Sequence, residues 1–154
     1  MSRQFLRLPV IALLLALAST PAAGQTLNAG PRFGGHVGYI SGDDWLAGPQ
    51  LFWPISSVVD LYPSFDYIFV PSGSAWAMNL DLKAVAPARD VSWFLGGGLG
   101  YYRSSVGGGN FSSKGVNLFT GLEGRTGHTL PYVEVRWMIG EGRAFRVGGG
   151  INWR

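Results

Sequence analysis

From about residue 30 to its end the chain alternates apolar and polar side chains with a period of two, the spacing of strands with two unlike faces. Residues 59–69 carry the pattern most clearly. Val59, Leu61, Phe65, Tyr67 and Phe69 share one face, while Asp60, Tyr62, Ser64 and Asp66 share the other. Residues 76–85 set Trp76, Met78, Leu80, Leu82 and Ala84 against Asn79, Asp81 and Lys83. Residues 115–125 set Val116, Leu118, Thr120 and Leu122 against Asn117, Phe119, Gly121, Glu123 and Arg125. In 130–139, Val133, Val135, Trp137 and Ile139 oppose Tyr132, Glu134 and Arg136. In 144–154, Phe145, Val147, Gly149, Ile151 and Trp153 oppose Arg146, Gly148, Gly150, Asn152 and Arg154.

Three further segments alternate less cleanly. Residues 32–40 place Phe33, Val37 and Tyr39 opposite Gly34, His36 and Gly38. Residues 47–55 place Leu51 and Trp53 opposite Gln50, with Phe52 breaking the pattern and Pro49 and Pro54 weakening it. Residues 92–102 place Trp93, Leu95, Leu99 and Tyr101 opposite Gly96, Gly98 and Gly100. The sum is eight predicted strands. Between them, 41–46, 56–58, 70–75, 86–91, 103–114, 126–129 and 140–143 are rich in Gly, Ser, Asp and Pro, a turn composition. Each is short enough to join antiparallel neighbours, and 103–114, the longest, reads as a flexible loop. The expected fold is all-β, an eight-stranded antiparallel up-and-down barrel in a single domain of residues 25–154.

Such a barrel either has an apolar lumen, as in soluble lipocalin-like barrels, or an apolar outside, as in membrane barrels. The charges separate the two. One set of faces holds Asp60, Asp66, Asp81, Glu123 and Glu134 with Lys83, Arg125, Arg136 and Arg146; the other holds none. Nearly balanced, the charged set can pair inside a lumen barely wide enough for side chains, with the glycine face of 92–102 leaving room. Aromatic residues recur at the ends of the apolar faces: Tyr39, Trp53, Tyr67, Phe69, Trp76, Trp93, Tyr101, Trp137 and Trp153. Two interfacial girdles have this signature. Strands of ~10 residues tilted by ~40° also span ~25 Å, the height of an outer-membrane apolar band. These features favour the membrane arrangement.

Residues 1–24 are read apart from the fold. Arg3 and Arg7 precede the apolar run of 10–18, and Pro21 lies among small residues, the tripartite pattern of a cleavable signal peptide. Cleavage is expected after Ala23 or Gly24. The net charge of +3 for the 154 residues falls to +1 without Arg3 and Arg7, so nothing argues for nucleic acid as a partner. The chain has no Cys, which excludes disulfides, a thiol nucleophile and a Cys-based zinc site.

The last nine residues, RVGGGINWR, resemble the C-terminal assembly signal of outer-membrane β-barrels, with Arg146, Gly148, Ile151 and Trp153 at matching positions. Arg154 departs from it by following the aromatic residue. With the signal peptide and eight strands, the chain is similar to small barrels of the opacity-protein and OmpA-transmembrane-domain type. That resemblance implies a monomer in a Gram-negative-type outer membrane with a periplasmic N-terminus and short periplasmic turns. Loops 41–46, 70–75, 103–114 and 140–143 then face outside. It also implies contact with outer-membrane lipid and lipopolysaccharide, and with the barrel-assembly machinery and periplasmic chaperones during biogenesis.

Catalytic motifs are sparse. His36 reads as a lumen filler and His128 as a solvated turn residue, and neither has a partner at metal-ligand spacing. The glycine runs 96–98, 107–109 and 148–150 lack the Lys-Ser/Thr of a phosphate loop. No cofactor is expected. The expected role is non-catalytic, structural or surface-interacting. A narrow channel gated by the inward charges and a lipid A-modifying barrel enzyme are the alternatives, the latter needing His and Ser together on the lipid-facing side.

Overall fold

The computed structural model describes residues 30–41, 44–141 and 143–154, with Arg143 described by its backbone alone. The signal peptide expected at 1–24 lies outside the described residues. Eight strands follow one another: β1 (Arg32–Ile40), β2 (Asp44–Pro54), β3 (Val59–Phe69), β4 (Gly73–Pro87), β5 (Val91–Val106), β6 (Gly109–Gly124), β7 (Thr129–Gly140) and β8 (Arg143–Trp153). Each pairs antiparallel with the next, and β8 closes on β1 through a register running from Phe33 opposite Trp153 to Ile40 opposite Arg146. The eight-stranded closed barrel expected from the alternation is therefore the fold. Closure leaves no sheet edge along the barrel wall, so its backbone groups find partners within the sheet.

The alternation sorts as expected. Phe33, Val37, Leu80, Leu82, Leu99, Val133 and Ile139 are exposed on the outside, while Asp60, Asp66, Asp81, Lys83, Glu123, Glu134, Arg136 and Arg146 are buried in the lumen. Pro49 and Pro54 do not remove β2 from the sheet. They sit in a strand paired on both sides, although the β2–β3 ladder is interrupted around Pro49 and Pro63, which have no N–H to donate. Gly48 belongs to the same seam, where a Cβ would lie 1.7 Å from the Phe65 carbonyl oxygen.

The largest departure from expectation is residues 103–114. They form no loop: β5 and β6 continue in register from Tyr101 opposite Lys114 to Val106 opposite Gly109. Only Gly107 and Gly108 turn the chain, at φ of +60° and +80°. Two successive positive φ values define a type I′ hairpin turn, whose twist suits the flanking strands and which glycine adopts without a Cβ clash. A Gly/Ser-rich composition reads as a loop, but strand pairing decides here. The hairpin runs past β7, whose pairing with β6 begins at Gly115 opposite Gly140. The barrel thus has a long-hairpin end and an opposite end that carries both Arg32 and Trp153.

Candidate functional site

The lumen collects nearly all the chemistry-bearing side chains of the strands, because alternation turns every second residue inward. They stack in levels. At the end that carries Trp153, Arg32 forms an ion pair with Asp60 and its second terminal nitrogen lies 3.6 Å from Glu123. Lys83 Nζ donates to Glu123 Oε2 at 2.9 Å and lies over the Phe94 ring at 4.1 Å and the Phe52 ring at 4.5 Å. Asn152 Nδ2 donates to the other Glu123 oxygen at 2.7 Å. Two cations and two carboxylates so balance at this level.

An aromatic level follows. Phe52 and Tyr62 stack with ring centroids 4.4 Å apart, and Phe119 meets Tyr62 edge-on at 5.5 Å. Phe94, Tyr132 and Val85 complete the cluster. Gln50 lies among these rings, accepting from the Tyr62 hydroxyl at 3.0 Å and the Tyr132 hydroxyl at 2.7 Å, and donating to Asn152 Oδ1 at 2.5 Å. Its carbonyl oxygen also lies 3.0 Å from His36 Nδ1.

The second charged level is denser. Glu134 Oε1 accepts from Arg136 Nε at 2.9 Å and from Arg146 Nη2 at 2.8 Å. Arg136 Nη1 donates onward to Asp81 at 2.6 Å, and Arg146 Nη1 to Asp66 at 2.8 Å. His36 Nε2 lies 2.5 Å from the same Asp66 oxygen. Asn79 Nδ2 donates to the other Asp66 oxygen at 2.9 Å, and Asn117 Nδ2 donates to Asp81 at 3.0 Å. Charges buried this deeply are tolerable because each carboxylate accepts from at least one cation, with amides taking up further lone pairs. Above them Leu46, Ile68 and Ala75, with Ile40, Val70 and Tyr102, close the long-hairpin end with an apolar layer.

The glycine face of β5 makes this filling possible. A Cβ on Gly96 would lie 2.2 Å from the Phe119 ring, and one on Gly98 would lie 2.5 Å from Asp81 Oδ1. Both residues stand directly opposite these glycines on the neighbouring strands, and their side chains lie over the bare backbone of β5.

Eight of the nine residues expected in the lumen network are brought together there: Asp60, Asp66, Asp81, Lys83, Glu123, Glu134, Arg136 and Arg146. Arg125 is not. β6 ends at Gly124, and the Arg125 guanidinium donates to the Ala88 carbonyl in the turn between β4 and β5. The alternation extends one residue past the strand. Arg32 takes a place in the network instead, and its inward position was legible from its parity with Gly34 and His36. Phe52 likewise faces the lumen beside Gln50, so the break in the pattern of β2 is an inward aromatic. Of the four residues at assembly-signal positions, Arg146 and Gly148 face the lumen while Ile151 and Trp153 face out. Trp153 packs on Phe33 with centroids 5.6 Å apart.

Outside, the aromatics gather at two heights. Phe33, Trp53, Trp93 and Trp153 ring the terminal end, and Tyr39, Trp45, Tyr67, Trp76, Tyr101 and Trp137 ring the other. Trp93 Nε1 donates to Thr120 Oγ1 at 2.8 Å, and that hydroxyl donates to the Phe94 carbonyl at 2.8 Å, so the exposed indole needs no water.

No family model matches the chain, and no curated protein matches it in sequence. Solved structures do match. The N-terminal β-barrel domain of Pseudomonas aeruginosa OprF is similar with a TM-score of 0.71 at 14% identity, over 80% of this chain and 95% of that one. A de novo designed transmembrane β-barrel is similar with a TM-score of 0.63 at 12% identity, over 81% and 94% of the two chains. Neisserial surface protein A gives 0.62 at 14% identity, over 80% and 94%. The class is thereby defined by its fold, that of the small eight-stranded outer-membrane β-barrels. On that fold this chain builds a lumen of two charged levels separated by aromatic rings.

Proposed function

We propose that this chain is an exported outer-membrane barrel that acts without catalysis, as a monomeric structural or surface-interacting protein with a closed lumen. The observation that carries the reading is the division of the strands. The outward face between the girdles is uncharged, and the lumen charges pair with one another across the interior. In this reading the apolar belt lies in lipid, the termini face the periplasm and the long hairpin faces outside. Export relies on residues 1–24, and the barrel-assembly machinery and periplasmic chaperones deliver the chain to a membrane of lipid and lipopolysaccharide.

Filling of the lumen supports the absence of a conducting path. Phe52, Tyr62, Phe94, Phe119 and Tyr132 occupy the middle, and eight-stranded interiors leave little more than side-chain room. The non-catalytic reading is supported by the histidines. His36 and Asp66 are enclosed in the lumen, away from a lipid substrate, and His128 is exposed in the turn between β6 and β7.

The test is fractionation of cells into inner and outer membranes, joined to circular dichroism and a heat-modifiability gel of the purified protein in detergent. Recovery in the outer membrane with a β-rich, heat-modifiable band is expected. A β-rich protein soluble without detergent overturns the reading. Planar-bilayer current and an altered lipid A mass are each expected to be absent, and finding one of them replaces the non-catalytic closed barrel by a channel or an enzyme.

A further inference from the structure

Because β5 and β6 run on as strands, alternation applies to residues that a loop would have left unassigned. Tyr101 and Arg103 then project outward from β5, and Lys114 projects outward from β6 in parity with Val116 and Leu118. In register, Lys114 stands opposite Tyr101 and Ser112 opposite Arg103, so the two cations are diagonal neighbours on one face. Diagonal positions lie ~7–8 Å apart, within reach of long side chains. Both cations are exposed. The other charged side chains in the described strand interiors turn to the lumen, which makes this pair an exception to the uncharged outside.

Neither cation has a carboxylate partner among the described residues. Glu141 is a neighbour through its backbone, its N–H donating to the Lys114 carbonyl at 3.4 Å, but its carboxylate forms no salt bridge with Lys114. Two basic residues near the terminal rim are arranged differently. Arg125 donates to the Ala88 carbonyl, and Arg154 Nη2 donates to the Arg125 carbonyl at 2.5 Å.

Height fits the charge. Ten residues of β5 separate Trp93 in the terminal girdle from Arg103, which at ~3.4 Å per residue and ~40° tilt places Arg103 ~26 Å higher. An outer-membrane apolar band is ~25 Å tall, so Arg103 emerges where hydrocarbon gives way to headgroups, with Lys114 at the level of Tyr101 in the girdle just below it. Trp76, opposite Arg103 on β4, and Tyr101 pack with ring centroids 5.5 Å apart beside the two cations. An amphipathic aromatic floor under two unpaired cations suits a group that is anionic and attached to an acyl chain.

We propose that Arg103 and Lys114, seated beside Trp76 and Tyr101, bind the phosphate monoester of a membrane lipid in the leaflet at the long-hairpin end. The proposal rests on the membrane reading above. A guanidinium offers a phosphate two parallel N–H donors and an ammonium offers a compact charge, so the pair matches a dianionic group better than a zwitterionic headgroup.

The test uses the full mature barrel refolded into phosphatidylcholine vesicles, with and without phosphatidic acid, followed by native mass spectrometry of the lipid retained on extraction. Wild-type protein should retain phosphatidic acid about tenfold or more over phosphatidylcholine, from two basic residues at a membrane surface. Arg103→Ala with Lys114→Ala should abolish that preference, each single variant should lower it, and Arg89→Ala in the turn at the opposite end should leave it intact. An undiminished preference in the double variant overturns the proposal, as does displacement of the lipid by millimolar inorganic phosphate, which would indicate a site for the free anion. The gel shift in phosphatidylcholine alone separates the two readings. A barrel that folds there without lipid preference loses only this site, whereas failure to fold in any bilayer overturns the membrane reading and the site with it.

Discussion

The two faces of one strand can be compared residue by residue on β4. Asp81 and Lys83 are each 1% exposed and held by Arg136 and Glu123, while Leu80, between Asn79 and Asp81, is 53% exposed on the outside. The backbone is common to both, so the difference lies in what surrounds the side chains. Inside, close packing fixes each group against specific partners, and substitutions are felt through lost pairing or lost space. Outside, a fluid apolar medium would accept any hydrocarbon shape but no charge. At mid-strand on β4, then, the inward face carries specificity and the outward face only polarity.

The largest expected effect is on the inward face. Arg136→Ala removes the cation that Asp81 and Glu134 share, leaving buried carboxylates short of a partner, and should cost about 3–5 kcal/mol. Urea titration of the barrel folded in vesicles measures it. A loss below about 1 kcal/mol would mean that water reaches this level. Next comes the outward face. Leu80→Arg places a charge at mid-strand on the apolar belt and should cost about 2–4 kcal/mol in the same titration. If it were neutral, the outside would be wet and the division of the faces wrong.

How far this division was legible in the sequence depends on where one looks. In β3, β4 and β7 the charges alternate strictly with apolar residues, so Asp60, Asp66, Asp81, Lys83, Glu134 and Arg136 could be placed from parity alone. Parity fails where strand ends are misjudged. It puts Arg125 in the lumen because nothing local marks the end of β6 at Gly124, and it gives no direction to Arg103 and Lys114 because their Gly/Ser-rich stretch has the composition of a loop. Pairing within the lumen was not legible at all. Gln50 bonds Asn152 from 102 positions away and Arg146 bonds Asp66 from 80, and such partners are chosen by register and closure, which no local pattern encodes. The aromatic level was half legible: Tyr62, Phe119 and Tyr132 sat on the polar faces, whereas Phe52 looked like a fault.

Between the two large effects and the small ones lies Gly98→Ala. An added Cβ would meet the Leu80 carbonyl at 2.2 Å and Asp81 Oδ1 at 2.5 Å, and the first of these is backbone that cannot turn aside. Overpacking of this kind should cost about 1–3 kcal/mol. Chemical denaturation read by tryptophan fluorescence checks it, and an unchanged midpoint would mean that the lumen has slack beside β5.

The smallest effect isolates packing from polarity, because valine occurs on both faces. Val133→Ala on the outward side of β7 and Val85→Ala in the aromatic level remove the same two methyl groups. With lipid covering Val133, both lose the same transfer term, about 0.8 kcal/mol for each buried carbon removed. Only the inward change also leaves a cavity, since Phe52, Tyr62 and Phe94 are locked by one another and by Lys83, whereas lipid chains would flow into the space beside β7. Val85→Ala should therefore cost measurably more than Val133→Ala in vesicles, and the gap between them is the cavity term by itself. In a barrel whose outside packed against a rigid partner protein, the gap would close, and a near-equal loss at both positions would replace lipid by protein as the neighbour of β7.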